Sequence, residues 1–153
     1  METGVEILAP ASAAWKLLTD TSRWPQWGPS VSRVESAQQY IGPGSTGRVL
    51  TIFGVWLPFR VTEFAAGRRW NWEVAGIPAT GHRVEPLGPD RCRVTFEVPL
   101  LAAPYLSVCR LAAQRIRNIL EEEQHRIPLF TRCQPFKPAI GTTNLTVADR
   151  ETA

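Results

Sequence analysis

From residue 31 to residue 98 the chain repeats one local pattern, a short run of β-branched and aromatic residues followed by a tight turn signal. The runs cover 31–39, 47–53, 56–64, 69–74, 79–87 and 92–98. Between them lie Ile41-Gly42-Pro43-Gly44, Gly54, Ala65-Ala66-Gly67, Ala75-Gly76-Ile77-Pro78 and Gly88-Pro89-Asp90. Connections this short leave no room for a crossover helix, so neighbouring runs must pair as an antiparallel meander. The period then changes once. From about residue 102 to 127, Tyr105, Val108 or Cys109, Ala112, Ile116, Ile119 and Leu120 fall on one stripe at helical spacing, with Arg110, Arg115, Arg117, Glu121 and Glu122 mostly off it. Pro104 suits a first helical turn and Pro128 stops the run. About 24 helical residues span roughly 36 Å, enough to lie across a curved sheet.

The opening segment completes the pattern. Residues 3–9 read as a strand ending at Pro10. A helix starting at Ala11 or Ser12 turns Trp15, Leu17 and Leu18 inward, and a second short helix covers 20–27, with Asp20 or Thr21 as its N-cap. The expected fold is therefore α+β: a seven-stranded curved antiparallel sheet gripping a long C-terminal helix, with two short helices between strands 1 and 2. At 153 residues there is room for one core. The domain is expected over 1–128. Residues 129–153 carry Pro135 and Pro138 and show no clear period, so they read as an irregular tail from which Leu129, Phe130 and Phe136 are available to dock back.

Strand alternation sorts side chains by face. Trp70, Trp72 and Val74 share one side of their strand. Val94, Phe96 and Val98 share the inner side of theirs, with Arg93, Thr95 and Glu97 outside. With Arg83 and Glu85 solvated, His82 and Val84 point inward. In 56–64 the phase is divided: Phe59 and Val61 form one inner pair, while Trp56 and Phe64 favour the other register, as they would if a bulge shifts the phase midway. The inner face is apolar and aromatic, with His82 as its polar member. Such a face describes both a filled core and a ligand pocket, since natural pockets are mostly apolar with few placed polar groups. The same two readings hold for Trp24 and Trp27, which flank Pro25-Gln26.

Composition excludes several functions. The net charge of +3 comes from basic residues spread along the chain, which is no nucleic-acid footprint. No apolar run reaches the roughly 20 residues of a membrane span, and the N-terminus lacks the basic start and apolar core of a signal peptide. Cys92, Cys109 and Cys133 are an odd count at wide spacings, which fits reduced thiols in the cytoplasm better than a disulfide framework or a zinc site. Nucleophile elbows, phosphate loops and paired metal-ligand motifs are missing from the sequence, so neither a metal nor a cofactor is expected.

The order of these features resembles the SRPBCC superfamily, the START-like helix-grip fold that includes polyketide cyclase/dehydrase and lipid transport proteins. The resemblance is carried by residues 7–10 with Trp15, by Asp20 followed by Trp24-Pro25-Gln26-Trp27, and by residues 44–47 opening a strand. Residues 61–64 before Gly67-Arg68-Arg69, then Trp72, and residues 82–88 before Arg93-Val94-Thr95 complete it, over about 3–127. It implies a cavity between sheet and long helix that holds a small hydrophobic or aromatic ligand, for carriage, sensing or sequestration. Trp24, Trp27, Phe59, Trp70, Trp72, His82, Phe96, Cys109, Ala112 and Ile116 are its candidate wall. Small Ala112 and Ala113 leave space that Leu would fill. An alternative is a polyketide cyclase, aromatase or dehydratase using the same cavity, with His82 as the candidate catalytic residue although no carboxylate shares its face. A further alternative is an interaction protein whose cavity has collapsed. The sequence leaves the oligomeric state open.

Overall fold

The computed structural model describes residues 1–126. The elements run β1 (Glu2–Ile7), α1 (Ala11–Thr19), a 3-10 turn (Thr21–Arg23), α2 (Trp24–Trp27), β2 (Val31–Ser36), β3 (Thr46–Thr51), β4 (Trp56–Ala65), β5 (Arg69–Val74), β6 (Ile77–Gly88), β7 (Arg91–Glu97), a second 3-10 segment (Leu100–Tyr105) and α3 (Leu106–Arg126). The seven strands form one antiparallel sheet in the order β1-β7-β6-β5-β4-β3-β2. The fold is the expected helix grip. The tail at 129–153, with Cys133 and its candidate docking residues, lies outside the described residues.

Local chemistry explains where the elements depart from the expected boundaries. The second short helix is split, because Asp20 stays extended and its carboxylate accepts from the Ser22 backbone N–H at 3.1 Å, capping a 3-10 turn before α2 begins. Strand β2 ends at Ser36 rather than residue 39. The segment beyond it is drawn onto the helical connection, with Thr21 donating its N–H to the Gln39 carbonyl at 2.8 Å and Gln39 Nε2 donating to the Asp20 carboxylate at 3.2 Å. The long helix starts at Leu106, not 102: Ala102 is non-helical (φ −101°, ψ 24°) and Pro104, which has no N–H to give, sits in the preceding 3-10 segment.

The divided phase of β4 is real and has the expected cause. Phe59 and Val61 face inward, the register shifts between Val61 and Glu63, and Phe64 then also turns to the core, where it meets Trp15 edge-on at 5.5 Å. Trp56 lies on the other side, under the Arg48 guanidinium at 5.0 Å. Thr95 is on the outer face as expected, yet it is buried, because Gly4 of β1 pairs with it so closely that a Cβ there would lie 2.9 Å from its hydroxyl. Around it, Glu97 joins Arg69 (2.9 Å) and Arg83 (3.1 Å), lacing the outer face of β5, β6 and β7 together.

Helix α3 buries Cys109, Ala112, Ala113, Ile116 and Leu120. Its end is tied to β1 by the Leu8 N–H donating to Glu121 Oε1 at 3.2 Å, and to the first 3-10 turn by the 2.7 Å Arg23–Glu123 ion pair. The core thus lies between the concave sheet face and one layer made of α1, α2 and α3.

Candidate functional site

The inner face is built around a stack of three rings. Trp24 from α2 lies parallel to Trp70 of β5 at 5.5 Å, and Trp70 lies parallel to His82 of β6 at 3.9 Å. Phe96 of β7 meets His82 edge-on at 4.9 Å, and Trp27 does so at 5.9 Å. Pairing in register puts Trp70 beside His82 and His82 beside Phe96, so three adjacent strands deliver one aromatic row. Trp24 is held by its indole N–H, which donates to the Leu18 carbonyl at 2.9 Å.

This packing decides how much space remains. The inner cavity between the row and α3 measures about 40 Å³ and is walled by Trp24, Trp27, Trp70, Trp72, His82, Phe96, Cys109 and Ala112, with Thr80 and Tyr105 among the other lining residues. Eight of the ten residues expected in a cavity wall therefore meet around one space, but the aromatic rings nearly fill it. Phe59 and Ile116 belong to the packed core and line neither this cavity nor its neighbour: Phe59 lies behind Trp24 and Trp72, at 5.3 and 5.8 Å, and Ile116 is fully buried on α3.

The larger space adjoins it. A pocket of about 360 Å³ opens at the end of the sheet nearest the second 3-10 segment, walled by Val49, Leu57, Val74, Ala102 and others. It shares Ser30, Val31, Trp72, Thr80 and Tyr105 with the inner cavity. Phe53, at the tip of the β3–β4 turn, is 86% exposed and stands at its edge. Ser30 and Tyr105 hydrogen-bond through their hydroxyls across the shared boundary, and burial pushes the Tyr105 phenol up from its usual range. Of the residues peculiar to this pocket, alternation along the sequence picks out Val74, on the face of Trp70 and Trp72, and none of them is among the expected wall residues. Tyr105 had been placed on a core stripe, and Thr80 was within reach of alternation, two residues from His82 on the same face.

Burial holds the His82 imidazole far below its usual range, at about 3, with the backbone of its β5 neighbour Trp70 offsetting this only in part. His82 is thus a neutral ring at physiological pH. Thr80 Oγ1 accepts from Trp72 Nε1 at 3.2 Å and lies 3.4 Å from His82 Nε2. The Thr80 hydroxyl has two lone pairs, so this contact is compatible with either imidazole tautomer. Among the described residues, the buried indole nitrogens of Trp27 and Trp70 have no hydrogen-bond partner. Cys109, in the same wall, is held by burial at about 11 and is no nucleophile near neutrality. Among the described residues no cluster of three or more potential ligands is arranged to hold a metal ion.

A model of the family described as polyketide cyclase/dehydrase and lipid transport matches residues 1–122. The chain belongs to that family. Solved structures agree on its fold. The XoxI protein of Bacillus cereus is 14% identical, with a TM-score of 0.64 over 82% of this chain and 98% of its own. A START superfamily protein from Mycobacterium smegmatis is 20% identical, with a TM-score of 0.61 over 80% and 97%. The di-domain ARO/CYC StfQ of the steffimycin biosynthetic pathway is 16% identical, with a TM-score of 0.65 over 82% of this chain but 46% of its own length, so the family domain here corresponds to about half of it. No curated protein matches the sequence. No helix among the described residues is long and apolar enough to cross a membrane.

Proposed function

We propose that the protein binds a small hydrophobic or aromatic molecule between the sheet and the helical layer, with the ligand's body in the 360 Å³ pocket and one end reaching toward His82. The observation that carries this reading is the pocket itself: its volume lies within the usual range for small-molecule sites, and its wall is apolar with a few hydroxyls. The site resembles a carrier's or sensor's more than a catalyst's. A general base works best with a pKa near the operating pH, and His82 is far from it, with no carboxylate among the described residues of either cavity wall. The likeness to ARO/CYC proteins keeps a second reading in view, in which the same space folds a flexible substrate and catalysis comes from positioning.

Equilibrium titration with a neutral aromatic fluorophore tests the binding function. Ala102→Trp adds an indole at the pocket wall while leaving the inner cavity untouched. The expected result is a stoichiometric site in the parent protein and at least a tenfold loss of affinity in the variant. Equal affinity in both, with the fold intact by circular dichroism, places the site elsewhere and refutes the reading.

A further inference from the structure

The end of the sheet where the larger pocket opens is unlike the rest of the surface. In this antiparallel meander the start of β2, the β3–β4 and β5–β6 turns and the exit of β7 meet at one end, and the pocket takes Val31, Phe53, Val74 and Pro99 from them. Charged residues make up 20% of the chain, yet the stretches that build this end, 24–32, 49–59, 74–82 and 98–109, contain no Lys, Arg, Asp or Glu. What they hold out to solvent is apolar: Phe53 (86% exposed), Leu100 (78%), Ile77 (69%) and Ile52 (58%), carried by three separate connections. Apolar side chains scattered singly need no explanation, but a group of them around a pocket mouth marks an interaction surface. The charges that border these stretches are mostly cationic: Arg23, Arg33, Arg48, Arg60, Arg83 and Arg110, against Glu73 and Glu97. Arg33 and Arg110 are exposed and join no ion pair among the described residues. Each is set back along its element by roughly 6–7 Å, Arg33 two residues past Val31 on β2 and Arg110 four past Leu106 on α3.

A phospholipid bilayer presents the matching order. Its acyl region rejects charge, its headgroup boundary admits apolar side chains to a depth of about 5–10 Å, and its phosphates lie just above. A second copy of this chain matches less well, because separate tips around an opening offer no continuous self-complementary patch. We propose that this end of the molecule docks on a bilayer surface, with Phe53, Ile77 and Leu100 in the boundary and Arg33 and Arg110 at the phosphates, so that the pocket opens toward lipid. Trp56, the first residue of β4 beside the β3–β4 turn, carries the kind of ring that favours the same boundary. Docking goes beyond the binding function proposed above and does not depend on it, since the surface is in place without a ligand.

Flotation of the full-length chain with vesicles of phosphatidylcholine, alone and with one-third phosphatidylglycerol, tests the proposal. The parent protein is expected to float with both and more strongly with the anionic vesicles. Phe53→Gln and Leu100→Gln together change only exposed positions and should cut partitioning at least tenfold on both. Leu8, also an exposed leucine but just past the far end of β1, is the control, and Leu8→Gln should leave partitioning unchanged. Arg33→Gln should cost about fivefold on the anionic vesicles and nothing on phosphatidylcholine alone, as expected for one basic residue near a charged surface. Circular dichroism confirms that each variant is folded. No flotation of the parent with either vesicle, flotation that survives the Phe53 and Leu100 substitutions, or an equal loss in Leu8→Gln overturns the proposal. A parent that sediments as a dimer, becomes monomeric with the Phe53 and Leu100 substitutions and never floats also overturns it, and assigns this end to a second copy. All of these are read without a ligand, so their failure is separate from failure of the fluorophore titration.

Discussion

Acid should act on this protein through one ring. His82 is 2% exposed, stacked on Trp70, and held neutral with a pKa of about 3 in the folded state, against an ordinary value of 6.5. A depressed base means that the unfolded chain binds the proton more readily than the native one, so stability is complete above pH 6.5 and drains away as pH falls from there toward 3. Each unit within that window is worth about 1.4 kcal/mol. At pH 5.5 the loss is on the order of 1 kcal/mol and at pH 4.5 on the order of 3 kcal/mol, a large fraction of the stability of an ordinary domain. Surface carboxylates titrate over the same range, so the measurement is a difference. Urea melts of the parent and of His82→Gln are run from pH 7.5 to 4.5, and the two stabilities are subtracted. Glutamine offers Thr80 a hydrogen-bond partner but takes no proton in this range. The gap between the two proteins should close, or invert, by roughly 3 kcal/mol. A difference that stays flat with pH, or an NMR titration of the native His82 ring with a midpoint near 6.5, would refute the argument.

Other expectations follow from single contacts. Gly47→Ala places a methyl 2.7 Å from the Phe59 ring and hard against the Glu35 backbone, so it should lower stability by about 1–3 kcal/mol in the same melts. Ala75 is the non-glycine residue with positive φ among the described residues (51°) and shares the β5–β6 turn with Gly76, so Ala75→Gly should raise stability by about 1 kcal/mol. Burial pushes the thiols of Cys92 and Cys109 up to about 11, so native alkylation by iodoacetamide at pH 8 should leave both unlabelled by mass spectrometry, and both should label once urea unfolds the chain.

The architecture was legible because it rests on periods that the sequence displays openly. The single switch from strand-like runs to one helical stripe places α3, and alternation alone puts Trp70, Trp72, His82 and Phe96 on one face. Even the conflict inside β4 was informative, since Phe59 and Phe64 can both face the core only if a bulge intervenes. Volume was not legible. Periodicity reports which side chains share a face, but the stacking of Trp24, Trp70 and His82 depends on ring orientation, and that stacking closes most of the inner space. The roomier pocket is made by Val49, Leu57, Val74 and Ala102, residues of ordinary size whose pattern is that of any half-buried wall. Pairs that join distant segments, such as Ser30 with Tyr105, leave no mark in local spacing.

The sheet order has a consequence for how the molecule assembles. From β2 to β7 each strand pairs with the one that follows it in the chain, so those five ladders close through local connections. Strand β1 alone must find its partner at the other end of the meander, joining Val5 to Val94 and Ile7 to Cys92. Loop-closure entropy makes that step the slow one, and ribosomal synthesis delays it further, because β7 emerges long after β1. Until then the segment that carries Trp24 and Trp27 has one anchored end. The pocket wall is therefore completed only when the first strand to be made docks last.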